Sequence, residues 1–178
     1  MAFDDQALPN PRWWFPRLAL VGRQSITTAS VAARAFMSAV WFPCTMYVAS
    51  VTPTFPITDP TTNVRLGIYA DNGNTPAGGS LVSQSDSIKL DVVNPVFTLP
   101  TPIRFLPGIS AWLVMMTDTT LTSFLRYKDD GYPLPELTGE ALKGCFFNQK
   151  YGKFPAVCPA VTLTSISPYF ALQISQAG

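Results

Sequence analysis

Histidine is absent from this sequence of 178 residues, and charged residues are scarce. Without histidine, the commonest general base and the commonest metal ligand are both missing, so a Ser-His-Asp or Cys-His catalytic site is excluded. Only 13% of the residues carry a charge, about half of the share that is usual in soluble domains. Because the cores of protein interfaces are depleted in charge, this scarcity favours burial of much of the surface against partner subunits. The alternative is one well-folded domain whose surface is rich in threonine and serine.

The small net charge of +1 argues against a nucleic-acid-binding protein. A groove for nucleic acid needs clustered lysine and arginine to displace counterions. The nearest approach to such a cluster is Lys143, Lys150 and Lys153, and Glu136 and Glu140 lie beside it. Long hydrophobic runs are absent too, because polar residues and a proline interrupt the longest one, so no membrane span is predicted. The first residues also lack the pattern of a signal peptide.

Cysteine occurs only three times, at Cys44, Cys145 and Cys158. The wide spacing gives no Cys-x-x-Cys pattern, so neither a zinc site nor a cofactor is predicted. A disulfide between Cys145 and Cys158 would close a loop. We expect instead that all three are buried thiols that act as small hydrophobic side chains, because no disulfide framework is visible.

Proline, in contrast, is abundant, with 17 residues spread over almost the whole length. Helices do not tolerate that density, whereas turns, edge strands and extended arms do. Threonine, valine, isoleucine and phenylalanine dominate the segments between the prolines, which favours strands. Short strands separated by turns predict an all-β fold, an antiparallel β-sandwich or jelly roll. The predicted strands are 25–29, 34–41, 47–51, 63–69, 80–89, 96–103, 111–117, 121–127, 145–148 and 169–175, with one helical turn at 138–143.

Two of these strands differ in their predicted burial. In 63–69, apolar residues alternate with Arg65, Gly67 and Tyr69, which is typical of a strand with one buried face. In 111–117 both alternating sets are apolar, which predicts a central strand that is buried on both faces.

Two groups of residues with side-chain oxygens suggest metal binding or catalysis at first sight. Asp71, Asn72 and Asn74 have the spacing of calcium ligands, but no glutamate follows at the position of the bidentate ligand. We therefore interpret this stretch as a tight turn, in which asparagine and glycine tolerate positive φ. Asp129 and Asp130 would be a carboxylate pair for glycoside hydrolysis, yet the glycine and proline after them predict another turn. The sequence therefore predicts no enzyme.

The first 24 residues differ from the rest, so we predict an attachment arm over 1–24 and a β-sandwich domain over 25–178. The arm is punctuated by proline and rich in aromatic residues, and leaving a large apolar side chain in water costs about 1.5–3 kcal/mol. We expect the arm to extend and to dock on a neighbour, whose edge strand can supply hydrogen bonds. The alternative is that it folds back on its own domain. The predicted docking residues are Arg12, Trp13, Trp14, Phe15 and Arg17.

Aromatic residues outside the arm divide into two groups. Trp41 and Trp112 lie within strand patterns, and we expect them in the core. Tyr127, Tyr132 and Tyr151 lie in loop-like stretches and are candidates for contact with a host surface glycan, because exposed aromatic rings mark interfaces.

Residues 65–69 (Arg-Leu-Gly-Ile-Tyr) carry the clearest family resemblance in the chain. A polar loop with Pro76 and Gly78 follows them, and then the pair at 81–82 (Leu-Val). This stretch resembles a β-sandwich domain that is common in the virion proteins of tailed bacteriophages, including tail fibres and head-associated proteins.

Two further stretches agree with this resemblance, which covers about residues 25–176. Residues 106–108 (Leu-Pro-Gly), followed by 111–114 (Ala-Trp-Leu-Val), are similar to an internal element of the family. Residues 167–174 are similar to its terminal strand, with Gln173 at a position where arginine is usual. The 24-residue arm lies outside the resemblance.

The resemblance implies a location in the virion, a role without enzymatic activity, and assembly as a homo-oligomer, typically a trimer. We expect a capsid decoration or cement protein that docks on other virion proteins through the arm. The alternative is a short tail fibre or receptor-binding protein that contacts host glycans.

Overall fold

The strand-forming segments between the prolines fold into antiparallel β-sheets, as a computed structural model of the chain shows. Among the described residues, strands are joined by turns and short connections. The structure describes residues 12–14, 26–28, 32–42, 44–55, 58–120, 124–127, 144–164, 167–168 and 170–177.

The strands in these ranges are numbered here in chain order. Most of them are three to nine residues long, and β5 is the longest. They are β1 (Arg12–Trp14), β2 (Ile26–Thr28), β3 (Arg34–Trp41), β4 (Met46–Pro53), β5 (Asp59–Ala70), β6 (Leu81–Gln84), β7 (Ile88–Leu90), β8 (Phe97–Phe105), β9 (Ser110–Thr117), β10 (Phe124–Tyr127), β11 (Gly144–Asn148), β12 (Thr162–Thr164), β13 (Ser167–Pro168) and β14 (Phe170–Ala177).

Two large sheets pack face to face, and a small third sheet accompanies them. The four-stranded sheet has the order β1-β14-β4-β8. The seven-stranded sheet has the order β12-β11-β3-β9-β5-β6, and β7 also pairs with β5. The small sheet contains β13, β10 and β2. Because all neighbouring strands are antiparallel and the two large sheets share one core, the predicted all-β sandwich is confirmed.

The core between the large sheets, the inner cluster, is built from alternating residues of β3, β5 and β9 on one side and of β4, β8 and β14 on the other. Phe42 and Phe105 stack in it with ring centroids 4.1 Å apart. Its buried members include Phe36, Val40, Val48, Val51, Leu66, Ile68, Leu99, Leu113, Met115, Phe170 and Leu172.

The opposite face of the seven-stranded sheet carries a second apolar core, the outer cluster. Residues 149–161, which we name the strap, cross this face and bury it. The members of the outer cluster are Ala35, Met37, Ala39, Tyr69, Trp112, Val114, Met116, Cys145, Phe147, Phe154 and Cys158.

Burial by the strap corrects one prediction and confirms another. The interpretation of 63–69 as a half-buried strand is wrong, because Arg65, Gly67 and Tyr69 are buried as well. Strand β9 has apolar residues buried on both faces, as predicted, with Leu113 in the inner cluster and Trp112 in the outer one. Trp41, also expected in the core, is only partly buried.

Most predicted strands are present, with shifted ends. Strand β3 has the predicted bounds of 34–41, whereas the predicted strand 80–89 is divided into β6 and β7. The division falls at Ser85, whose hydroxyl accepts a hydrogen bond from the Leu66 amide. Strands β1, β12 and β13 were not predicted as strands, and the predicted helical turn at 138–143 lies outside the described residues.

The structure holds all three cysteines as thiols, and no disulfide joins Cys145 and Cys158. Both of these thiols are buried in the outer cluster, and burial raises the pKa of Cys158 to about 12. Cys44 is only partly buried, next to the inner cluster.

Candidate functional site

The predicted docking residues fall partly within the described chain. The backbone of Arg12, Trp13 and Trp14 forms β1, which pairs with β14 of the same chain. These three residues therefore lie along their own domain, and docking of the arm on a neighbour stays a prediction. Phe15 and Arg17 lie outside the described residues.

The three tyrosines proposed for glycan contact are not brought together by the described structure. Tyr127 ends β10, where only the backbone is described, and Tyr132 lies outside the described residues. Tyr151 is half-buried at the beginning of the strap. Of these three tyrosines, Tyr151 is therefore the one whose side-chain contacts the structure describes.

The stretch that has calcium-ligand spacing is a turn between β5 and β6. Oδ2 of Asp71 accepts a hydrogen bond from the amide of Asn74 at 3.0 Å, and Oδ1 accepts one from the indole of Trp112 at 2.7 Å. Gly73 and Asn74 have the positive φ values predicted for them. The side chain of Asn72 donates to the carbonyl of Ala77. These polar groups close the turn and anchor Trp112.

The strap is attached to the sheet along its length by hydrogen bonds. The amide of Phe154 donates to Oε1 of Gln84, and the hydroxyl of Tyr69 donates to the carbonyl of Pro155, both at 2.9 Å. Beyond them, the strap pairs with the backbone around β6: Leu81 donates to Ala156, Cys158 to Gly79, and Gly78 to Cys158. The strap is therefore an ordered part of the sandwich.

Arg65 is the most unusual polar residue beneath the strap. It lies on the outer face of β5 and is only 9% exposed. Its Nη1 donates to the carbonyl of Ser85, and its Nε is buried without a hydrogen-bond partner. The guanidinium carbon lies 5.9 Å from the ring centroid of Tyr151, and the hydroxyl of Tyr151 lies 2.7 Å from that of Ser87. A guanidinium, a phenol and a serine hydroxyl thus converge at the edge of the strap.

The positive charge of Arg65 is not paired in an ion pair within the described part of the chain. The charge of Asp118, which follows β9, acts on Tyr151, and the two carboxylate oxygens accept hydrogen bonds from the amide and the side chain of Asn63. Burial of an unpaired charge costs several kcal/mol. The local arrangement is therefore suited to a negatively charged partner.

Burial also changes the acidity of Tyr151. Desolvation raises its pKa, and the charge of Asp118 acts in the same direction. The hydrogen bond with Ser87, the positive charge of Arg65 and a hydrogen bond with the Arg65 side chain oppose this rise. The phenol is consequently protonated at neutral pH and can both donate and accept a hydrogen bond.

A second polar group lies at the beginning of β5. The carboxylate of Asp59 accepts hydrogen bonds from Thr61 and Thr62, which lower its pKa. Thr62 also contacts the hydroxyl of Thr119. These bonds fix the strand end, and within the described ranges no three acidic or cysteine side chains are grouped in a way that would hold a metal.

Several apolar side chains remain exposed on loops and edge strands. Val92, Val93 and Val96 lie on one short loop between β7 and β8, with exposed fractions of 55%, 52% and 46%. The side chain of Asn94 fixes this loop by accepting a hydrogen bond from the amide of Phe55 at 3.0 Å. Val82 on β6 and Leu163 on β12 are exposed as well.

Sequence reasoning missed Arg65 as a candidate binding residue, because alternation placed it on a solvent face. The residues that cover it, around Tyr151, lie some eighty positions later in the chain. The signal available was a single charge, Arg65, within the otherwise uncharged predicted strand 63–69.

Comparison with known proteins adds no assignment to this geometry. No model of a known protein family matches the chain, and no curated protein matches it. No helix in the described ranges is long and apolar enough to span a membrane.

Proposed function

We propose that this chain is a non-enzymatic structural protein of a bacteriophage virion that decorates the capsid and attaches to it through its N-terminal arm. The observation that carries the proposal is the position of β1. It is the outermost strand of the four-stranded sheet in the described residues, and β14 pairs with only one of its edges. No other strand of the described ranges pairs with its second edge, and a partner strand that paired there would not require β1 to leave its own sheet.

The sequence landmarks that carry the phage resemblance lie on the framework of the sandwich. Residues 65–69 belong to β5, and they pair directly with β9, which contains residues 111–114. The third landmark is largely β14, the strand on which β1 lies. The resemblance thus concerns the scaffold, and it supports the proposal of a shared fold with attachment at the edge of the sheet.

The surface supports an assembly role as well. Charged residues are few, and the loop of Val92, Val93 and Val96 holds apolar side chains outward in a fixed conformation. Exposed apolar residues that cluster in this way mark interaction sites.

Deletion of residues 1–20 tests the attachment. We expect the truncated protein to fold, because the inner cluster lies entirely within residues 36–174, and to be absent from purified capsids. The matched control is Tyr151→Ala in the full chain, which should occupy capsids normally. Normal occupancy by a correctly folded truncated protein would contradict the proposal.

A second candidate function is contact with a host surface glycan, as in a short tail fibre or receptor-binding protein. The specific observation in its favour is that Tyr151 is half-exposed above a buried arginine. The isolated protein should then bind to host cells, and Tyr151→Ala or Tyr132→Ala should abolish that binding. Failure to bind any host surface would count against it.

A further inference from the structure

We propose that Arg65, Tyr151 and Ser87 form a binding site for the carboxylate group of an acidic sugar. The inference rests on the second candidate function and specifies its ligand. It is independent of capsid attachment, since the site lies on the outer face of the seven-stranded sheet and β1 lies in the other large sheet.

The positive charge of Arg65 is unbalanced. Its side chain is more than nine-tenths buried, its Nε has no hydrogen-bond partner, and no ion pair joins it to a carboxylate in the described part of the chain. A carboxylate is the natural partner of a guanidinium, because hydrogen bonds between the two are charge-assisted and can be bidentate. The missing partner is therefore an anion with planar oxygens.

The cation–π contact between Arg65 and Tyr151 is weak. The guanidinium carbon of Arg34 lies 4.6 Å from the ring centroid of Phe146, whereas the corresponding distance from Arg65 to Tyr151 is 5.9 Å. A separation near 6 Å is at the limit of a cation–π contact. A hydrogen bond with the Arg65 side chain also acts on the Tyr151 phenol, so a ligand oxygen would take the place of that bond when Tyr151 shifts.

Neutral hydrogen-bonding groups lie beside the charge of Arg65. The hydroxyls of Tyr151 and Ser87 lie 2.7 Å apart at the exposed rim, where each can exchange this bond for one to a sugar hydroxyl. The half-exposed ring of Tyr151 also offers an apolar face for the carbon face of a pyranose. These groups favour a sugar acid over a small free carboxylate.

The surrounding charges are mixed but predominantly positive. Lys89, Lys150 and Lys153 are exposed on the segments that carry Ser87 and Tyr151. Two carboxylates oppose them: Asp86 is exposed next to Ser87, and Asp118 keeps its negative charge beside Tyr151 although it accepts hydrogen bonds from the neutral Asn63. Screened attraction from the lysines would assist the approach of an anionic polysaccharide and would weaken at high salt.

Titration of the full chain with D-glucuronate, acetate and D-glucose, followed by NMR amide shifts, tests the proposal. We expect glucuronate to bind at least about tenfold more tightly than the other two, with shifts at Arg65, Ser87 and Tyr151. Equal binding of acetate would indicate an adventitious anion, and equal binding of glucose would indicate a neutral-sugar site. Either result would overturn the proposal, as would the absence of binding.

Variants then assign the affinity to the site. Arg65→Lys keeps the charge but removes the planar fork, and we expect glucuronate affinity to fall about tenfold or more. Arg104→Lys is the matched control, because Arg104 is exposed on β8 in the other sheet, and it should bind normally. If Arg65→Lys fails to fold, Ser87→Ala replaces it, with an expected loss of about threefold to tenfold. Unchanged affinity in the folded variant would overturn the proposal even if glucuronate binds. The capsid attachment proposal is tested separately, because all of these variants should occupy capsids normally whatever their affinity for glucuronate.

Discussion

The two faces of the seven-stranded sheet are buried by different means. The inner face packs against a second sheet, and its cluster consists mainly of aliphatic and phenylalanine side chains from seven strands. The outer face is covered by the strap, and its cluster includes two thiols, a tyrosine and a tryptophan. Arg65 and the hydrogen bonds of the strap also lie on this side.

The inner face therefore acts as a rigid scaffold, whereas the contacts between the strap and the outer face can open locally. Burial between two sheets depends on many strands together, so its loss would unfold the whole domain. Burial by the strap depends on a few rings and on hydrogen bonds that can open locally. Of the arginines whose side chains are described, Arg34, Arg65 and Arg104, the buried one is Arg65 on the strap side, which is where a ligand could take the place of protein contacts.

The largest expected effect comes from removing a ring from the strap. Phe154→Ala should lower the free energy of unfolding by about 3–5 kcal/mol, because Phe154 is buried in the outer cluster. Leu113→Ala, on the inner face of β9, should lower it by about 2–5 kcal/mol. Hydrogen exchange distinguishes the two faces: Phe154→Ala should expose the amides of Leu81 and Cys158 before those of β4. If amide exchange accelerated equally throughout the chain in both variants, the two faces would not differ in how they open.

A smaller effect is expected where the strap touches the sheet most closely. A methyl group added at Gly67 would lie 2.9 Å from a ring carbon of Phe154 and 3.0 Å from a methyl carbon of Val114. Gly67→Ala should therefore cost about 1–3 kcal/mol by overpacking. The control is Gly152→Ala, where the nearest atom would be 3.8 Å away. Urea unfolding measures both, and equal stability of the two variants would show that Phe154 moves freely.

The outer face should also give the protein a dependence on alkaline pH. Burial raises the pKa of Cys158 from 9.0 to about 12, so the unfolded chain loses this proton first. The stabilisation from the buried, protonated thiol is fully present below the pKa of the unfolded state, and it is lost as the pH rises toward 12. We expect a loss of about 1.4 kcal/mol between about pH 8 and pH 10 from this group. Cys158→Ala should reduce that slope in urea unfolding, and an unchanged slope would contradict the assignment.

The smallest expected effect concerns one hydrogen bond of the strap. Tyr69→Phe removes the donor to the carbonyl of Pro155 while keeping the buried ring. The free energy of unfolding should fall by about 0.5–1.5 kcal/mol. Thermal unfolding measures the change. A decrease in the free energy of unfolding well above this range would mean that the hydroxyl stabilises the strap through more than its bond to Pro155.

Local patterns in the sequence predicted the parts of the fold that depend on neighbouring residues. Alternation and β-branched residues located β3, β5 and β9, and the two apolar sets of 111–117 predicted burial on both sides of β9. The glycine and asparagine of the 71–74 turn predicted its positive φ values. In each case the residues that decide the conformation lie within the same short segment.

The parts that were missed depend on residues that are distant in the chain. The outer burial of Arg65 and Tyr69 requires Tyr151, Phe154 and Pro155, which have no strand or helix periodicity of their own. The strap therefore reads as a loop in the sequence. The convergence of Arg65, Ser87 and Tyr151 likewise joins three separate segments, and only Tyr151 was identified as a candidate site residue.

The most direct test of the proposed function is the number of copies of this chain on capsids that have been separated from tails. Quantitative mass spectrometry of the purified particles would supply that number. Decoration through the arm predicts hundreds of copies per capsid for the full chain and almost none after deletion of residues 1–20. A few to some tens of copies, found with the tails, would contradict decoration and would favour a fibre.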